Sequence, residues 1–212
     1  MMRILVPIVC ALLLTGCSVF GVRSGTEQVS YTVIAHLDDN TEVRRYPPQL
    51  VAETSVTAPD ESSARNKAFG VLFDYISGAN RVQKKVAMTA PVETAAAPET
   101  IAMTAPVETT AQAGGSYAMR FFLPAEYTME TAAEPTNPEV RIVEVPERTL
   151  AVLRFSGSRG ADNVARHASE LDGVIAGSSW RAVGEPTTLF YDPPWTIPFL
   201  RRNEVAVPVT DG

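Results

Sequence analysis

The sequence predicts an α+β fold in which a curved antiparallel sheet is closed or nearly closed by two helices. Short β-branched segments flanked by turn residues recur along the chain, and two helical segments interrupt them. The order of these elements is similar in the two halves of the chain. No linker among the 212 residues is long enough to separate domains. We therefore expect a single domain over residues 31–209.

The first half of the pattern contains three predicted strands followed by a helix. Their β-branched content and flanking turn residues indicate strands at residues 31–37, 42–46 and 50–57. A helix is predicted from about residue 62 to residue 77, because it follows Pro59-Asp60 and precedes Gly78.

This first helix has an unusually wide apolar surface. On a helical wheel the apolar arc covers about 200°, which is roughly twice the stripe of an ordinary surface helix. One half of the arc can pack on the sheet, and the other half must cover a ligand, a partner or a second layer of core. The residues of the arc are Ala64, Ala68, Val71, Leu72 and Tyr75, extended by Phe69, Phe73 and Ile76.

A short sequence in the middle of the chain occurs twice. Residues 88–94 and 103–109 both read Met-Thr-Ala-Pro-Val-Glu-Thr, and each copy follows an apolar pair. The apolar side chains fall on alternate positions, which is typical of one face of a strand. We predict two neighbouring strands that line one interior with Met88 and Met103.

The second half of the chain repeats the order of elements. After a strand at residues 117–123, we predict strands at 140–145, 150–155, 187–191 and 204–207, with a helix at 162–176. Residues 47–56 resemble residues 146–155. Duplicated β-β-α-β-type units are therefore a hypothesis that the sequence supports.

The N-terminus is interpreted as a lipoprotein signal peptide, over residues 1–16. Its apolar run is too short to span a bilayer, and Leu14-Thr15-Gly16-Cys17 is similar to the bacterial lipobox. We expect lipidation of Cys17 and a polar tether over residues 17–30. Ser18 favours the outer membrane of a bacterial envelope, facing the periplasm. The alternative is a plain secretory signal with an incidental cysteine.

The composition argues against several classes of function. The net charge is −6 without a basic run, so we expect no nucleic-acid partner. Only His36, His167, Cys10 and Cys17 carry imidazole or thiol groups, which is too few for a His/Cys metal cluster once Cys10 leaves and Cys17 is lipidated. No nucleophile elbow, dinucleotide motif or phosphate loop is present, so we predict no catalysis.

Five motifs, taken in order, resemble the SOUL family of haem-binding proteins. The resemblance covers about residues 31–209. It implies a distorted antiparallel β-barrel with two helices, and non-covalent binding of haem or another tetrapyrrole in an apolar depression beside the first helix. The motifs are EVRRYPP at 42–48, the helical segment at 68–80, the two MTAPV copies, YDPPW at 191–195 and RRNEV at 201–205.

The resemblance makes the first helix and the repeated segment the candidate site. A porphyrin needs a wide apolar slot and polar groups for its propionates. For Arg201 and Arg202 a structural salt bridge is an equal alternative. The candidate residues are Ala68, Val71, Leu72 and Tyr75 on the helix, Met88 and Met103 opposite it, and Lys67, Arg201 and Arg202 as cations.

The sequence offers weak candidates for an iron ligand. Arg45 occupies the position at which some SOUL members carry a histidine proposed as ligand, and arginine is a poor ligand because it stays protonated. His36 is expected to be solvated, and His167 to have a hydrogen-bonded structural role. We expect haem to be held by its apolar body and its propionates, with weak or no protein ligation.

Three functions remain open at this point. The first is an envelope-anchored carrier or buffer of haem or porphyrin. The second is a structural or partner-binding lipoprotein in which the wide helix face meets an unidentified protein. The third is an enzyme that acts on a tetrapyrrole, although Glu42, Glu53 and Glu108 have no visible pairing that would make an acid or base.

Overall fold

The computed structural model describes residues 25–82 and 98–212. Within these residues, no helix combines the length and the apolar character needed to cross a bilayer. The predicted helices, and the predicted strands outside the repeated segment, are present with small shifts of their ends. The helices are α1 (Glu61–Ile76) and α2 (Ala161–Ala176). The strands are β1 (Thr32–His36), β2 (Thr41–Tyr46), β3 (Gln49–Thr57), β4 (Asn80–Arg81), β5 (Val107–Gln112), β6 (Ser116–Phe122), β7 (Glu134–Pro135), β8 (Arg141–Val145), β9 (Arg148–Phe155), β10 (Trp180–Ala182), β11 (Thr187–Phe190) and β12 (Asn203–Asp211).

The main sheet is antiparallel and curled. Its strands follow the order β1-β2-β9-β12-β11-β5-β6-β3-β8, and β10 pairs with β12. The sheet forms a half-barrel, because its edge strands β1 and β8 do not pair with each other. The predicted α+β fold is confirmed. The sheet is curled into a half-barrel and does not close into a full barrel.

The strand order is symmetric about the central pair β5 and β11. Moving outward, β6, β3 and β8 on one side correspond to β12, β9 and β2 on the other. Helix α1 follows β3 and α2 follows β9, and these are the two strands whose sequences resemble each other. Duplicated units would produce this symmetric order. Strand β2 of the first half of the chain pairs with β9 of the second half, and β8 of the second half pairs with β3 of the first.

The ends of α1 are set by local sequence. The carboxylate of Asp60 accepts hydrogen bonds from the backbone nitrogen of Ser63 at 3.0 Å and from its hydroxyl at 2.7 Å. This satisfies donors that the first helical turn leaves free. The helix stops before Gly78, whose φ of 121° is one that residues with a side chain rarely adopt.

Each helix packs on its own part of the sheet. Helix α1 covers β3 and β6 through a core that includes Leu72 and Tyr75. Helix α2 covers β9, β10 and β12 through a core that includes Leu171 and Ile175. The central strands β5 and β11 lie between these two covered areas.

The opposite face of the sheet carries a ladder of charges across four strands. Glu108, Arg120, Glu53 and Arg141 lie on β5, β6, β3 and β8, and each is the cross-strand partner of the next. Neighbouring pairs in this row form ion pairs of 2.7 to 2.9 Å. Arg148 on β9 also pairs with Glu108, whose side chain is only 1% exposed. The register therefore supplies the partners that the sequence did not reveal for Glu53 and Glu108.

A second buried charge cluster is centred on Glu204 of β12, which is fully buried. Its carboxylate accepts hydrogen bonds from Arg44 at 2.9 Å, from Arg202 at 2.7 Å and from the Tyr191 hydroxyl at 2.8 Å. Burial lowers the pKa of Arg44, but the attraction and hydrogen bonds of Glu204 and Tyr46 together outweigh it and raise that pKa above its ordinary value. Glu42 pairs with the same arginine at 2.7 Å from a more exposed position.

Most of the strand predicted for the second copy of the repeated sequence is absent. The first copy, residues 88–94, lies outside the described residues. In the second copy, β5 begins only at Val107, and Ala105 makes an isolated bridge to Gln28. The predicted strand is therefore absent before Val107, and its predicted pairing with the first copy falls outside the described residues. Within the described residues, the neighbours of β5 are β6 and β11.

Candidate ligand-binding cleft

A cleft of about 430 Å³ lies between α1 and α2, over the middle of the sheet. Its floor comes from β5, β6, β11 and β12, and its walls come from the two helices. It lies where the two symmetric halves of the sheet meet. Small-molecule sites typically have volumes of about 300 to 1,000 Å³ and mostly apolar linings. The volume and the largely apolar lining of this cleft agree with both criteria.

Alanines on the facing sides of the helices keep this space open. A methyl side chain is too short to reach across the gap between the helices. Ala68 is buried at the cleft, while Ala165 is exposed there. The alanines that line the walls are Ala64 and Ala68 on α1, and Ala161, Ala165 and Ala168 on α2.

The polar groups on the floor are mostly used by the protein itself. Thr109 on β5 and Thr188 on β11 are cross-strand partners, and their hydroxyls bond to each other. The hydroxyl of Thr187 donates to the carbonyl oxygen of Ala206 at 3.4 Å. Because these hydroxyls have partners, the floor presents chiefly methyl groups to a ligand.

The cleft includes one of the four predicted helix residues of the site. Ala68 lines it. Leu72 and Tyr75 are instead fully buried in the core between α1 and the sheet, and Val71 packs against that core. The Tyr75 hydroxyl donates to the carbonyl oxygen of Ala133 at 2.8 Å. The cleft therefore lies closer to α2 than the predicted slot, because Leu72 and Tyr75 fill the space under their own helix.

The methionines also differ from the predicted arrangement. Met88 lies outside the described residues. Met103 is 38% exposed and does not line the cleft, whereas Met119 on β6 does. Sequence analysis missed Met119, although it alternates with Tyr117 on one face of a predicted strand and both residues line the floor.

The predicted propionate cations lie away from this cleft. Lys67 is exposed on α1 and does not line it. Arg201 donates to the backbone carbonyls of Thr196 and Pro194, each at 2.7 Å. Arg202 forms an ion pair of 2.7 Å with Glu204, so the salt-bridge alternative describes its position. Both arginines line a second, polar cleft of about 880 Å³ on another part of the surface.

The two histidines occupy the environments that were expected. His36 is exposed, and its Nδ1 lies 3.7 Å from Glu42. His167 lines the polar cleft, stacks on Phe155 with 4.0 Å between ring centroids, and has Nδ1 2.7 Å from the carbonyl oxygen of Asn163. A carbonyl can only accept, so Nδ1 carries the proton. Within the described residues no group of three or more His, Cys, Asp or Glu side chains is placed to hold a metal ion.

The lining of the apolar cleft fits a flat apolar ring better than it fits an iron centre. Neither histidine nor cysteine occurs among the described residues that line it. The thioether sulfur of Met119 and the phenol oxygen of Tyr117 are weak candidate donors for iron there.

The wide apolar arc of α1 is only partly covered. Phe69 packs edge-on against Phe121, with 5.3 Å between ring centroids, and so forms a second layer of core. Phe73 stacks on Phe69 but remains 47% exposed. The arc therefore serves the core, the cleft at Ala68 and a small exposed aromatic surface.

Comparison with known proteins identifies relatives of the chain. The sequence profile described as SOUL heme-binding protein matches residues 26–208. Human Heme-binding protein 2 is 29% identical over 120 residues, which are 57% of this chain and 54% of the relative, so the match spans about half of that protein.

Solved structures with low sequence identity share the fold. The EcmrR C-terminal domain is 12% identical, with a TM-score of 0.58 over 86% of this chain and 99% of its own. A protein from Listeria innocua described as a hydrolase is 11% identical, with a TM-score of 0.51 over 81% of this chain and 92% of its own. At these identities the likeness concerns the fold alone.

Proposed function

Because the chain belongs to the SOUL heme-binding protein family, we propose that it binds haem or a related tetrapyrrole non-covalently in the cleft between α1 and α2. The observation that carries this proposal is the apolar cleft of about 430 Å³, held open by alanines of both helices. The name of the human relative, Heme-binding protein 2, supports the same ligand class.

The ion pairs of two carboxylates that were considered as acid or base support a carrier or buffer rather than a catalyst. Bound haem would supply a redox-active iron, while this chain supplies ring burial between the two helices. The carboxylates that the sequence left unpaired, Glu53 and Glu108, are held in ion pairs on the opposite face of the sheet. They therefore offer no free acid or base to a ligand in the cleft.

Titration of the full-length protein with haemin in a mild detergent tests the proposal. We expect a saturable change in the Soret band at a one-to-one ratio. We also expect iron-free protoporphyrin to bind with an affinity within about threefold, which corresponds to less than 1 kcal/mol, because ring burial provides the affinity.

A strong preference for haemin would instead indicate an iron ligand and contradict the proposed mode of binding. Absence of binding by both porphyrins would contradict the function. It would favour the partner-binding alternative, for which the exposed rings of Phe73, Trp195 and Phe199 offer contact surface.

We further propose that the protein is a lipoprotein of a bacterial envelope, anchored through Cys17. The lipobox-like Leu14-Thr15-Gly16-Cys17 supports this proposal. Several acyl chains, each contributing about 0.8 kcal/mol per buried methylene, would make the anchoring durable.

Replacing Cys17 with alanine should release the protein from the membrane fraction in an envelope-bearing bacterial host. Fractionation followed by immunoblotting measures the release. Cys10→Ala, which changes the other cysteine of the chain, is the matched control and should remain with the membranes. Retention of the Cys17 variant in the membrane fraction would argue against lipid anchoring.

A further inference from the structure

Arg159 carries a charge that no carboxylate of the described residues neutralises by direct contact. None of the ion pairs within those residues includes it. One of its terminal nitrogens donates to the backbone carbonyl of Asp192, and its buried Nε has no hydrogen-bond partner. A half-buried guanidinium that has no ion-pair partner and an unsatisfied nitrogen favours the binding of a nearby anion.

Two further arginines increase this excess of positive charge. Arg65 donates from Nη1 to the carbonyl oxygen of Arg159 at 3.5 Å. The guanidinium carbons of Arg65 and Arg159 lie 5.7 Å and 4.9 Å from the centre of the same ring, Phe190. Burial, followed by the repulsion of Arg201 and Arg65, lowers the pKa of Arg159 to about 10, with Asp192 acting in the opposite direction.

These arginines reach the apolar cleft through Arg65. Arg65 itself lines the cleft, together with Glu61, one turn earlier on α1, and Ala161, two residues after Arg159. Glu61 pairs with Arg65 at 3.0 Å from a position that is partly exposed to solvent. A ligand whose apolar body fills the cleft can therefore place an acidic group beside Arg65, where Glu61 is its competitor.

We propose that the cleft selects ligands that combine a flat apolar body with a free carboxylate, and that Arg65 contacts this carboxylate while Arg159 behind it adds positive charge. The inference rests on the proposed tetrapyrrole binding and assigns the side chains that would hold the carboxylate of such a ligand. It moves the anchor from Lys67, Arg201 and Arg202 to two residues that sequence analysis did not single out. The structural reason is that Arg201 and Arg202 have partners of their own in the polar cleft.

Haemin and haemin dimethyl ester, which lacks free carboxylates, separate the two proposals. We expect the full-length protein to bind haemin about tenfold or more tightly than the ester, because a charge-assisted contact is lost in the ester. Arg65→Gln should remove this preference by weakening haemin binding alone. Arg159→Gln should reduce the preference for haemin over the ester by about threefold. The reason is that this change removes a nearby positive charge but no direct contact with the ligand.

Two further variants sharpen the test. Glu61→Gln should strengthen haemin binding and leave ester binding unchanged, because it removes the competing carboxylate. Arg166→Gln, on the exposed side of α2, is the matched control and should leave both affinities unchanged. Circular dichroism checks that each variant is folded.

The possible results distinguish the inference from the function on which it rests. If wild-type protein binds haemin and the ester equally, or if Arg65→Gln keeps the full preference, the arginine anchor is overturned and the proposed function stands. If wild-type protein binds neither compound, both the function and the anchor are overturned.

Discussion

Replacing Ala165 with tryptophan should weaken haemin binding by about tenfold or more, a loss of at least 1.4 kcal/mol. Ala165 lines the wall of the cleft on α2 and is exposed to solvent. An indole at this position occupies the space that the porphyrin needs, yet it does not have to enter the core. The fold should therefore survive, and haemin titration measures the loss of affinity.

Two comparisons make this result specific. Asn66→Trp adds the same ring at an exposed position of α1 that does not line the cleft, and it should leave affinity unchanged. Ala68→Trp should also block binding, but its buried position adds an overpacking cost of about 1 to 3 kcal/mol. Unchanged haemin affinity in the Ala165 variant would place the ligand elsewhere on the protein.

Replacing Glu204 with glutamine should lower the free energy of unfolding by about 3 to 5 kcal/mol. The fully buried carboxylate holds Arg44, Arg202 and the Tyr191 hydroxyl together. Without its negative charge, the buried guanidinium of Arg44 and the largely buried guanidinium of Arg202 lose most of their compensation. Urea denaturation of the unliganded protein measures the change.

Glu42→Gln is the matched control, because Glu42 pairs with the same arginine at 2.7 Å but is more exposed. We expect this change to cost less than about 1 kcal/mol, as exposed ion pairs do. Equal losses in the two variants would show that burial of the Glu204 carboxylate does not set the size of the effect.

The repeated segment shows why a local pattern can fail. Its alternating apolar residues satisfy the requirement for one face of a strand, and Val107 does begin β5. A strand also needs free edges for its neighbours, and β6 and β11 already occupy both edges of β5. The alternating pattern alone therefore did not determine where this strand begins or which strands are its neighbours.

The site shows a similar limit of sequence analysis. The wheel of α1 correctly placed Ala68, Leu72 and Tyr75 on its inner side, but it could not separate residues that fill the core from a residue that lines a cleft. That separation depends on the position of α2, which contributes Ala165 from about a hundred residues along the chain.

The sequence by itself determined the helices, the longer strands and the family, because caps, turns and hydrophobic periodicity act over a few residues and are written locally. The tertiary structure alone decided the strand register, and with it the pairing of Glu108 with Arg120 and the burial of Glu204. It also decided the cleft, since that space exists only where helices from the two halves flank the same pair of central strands.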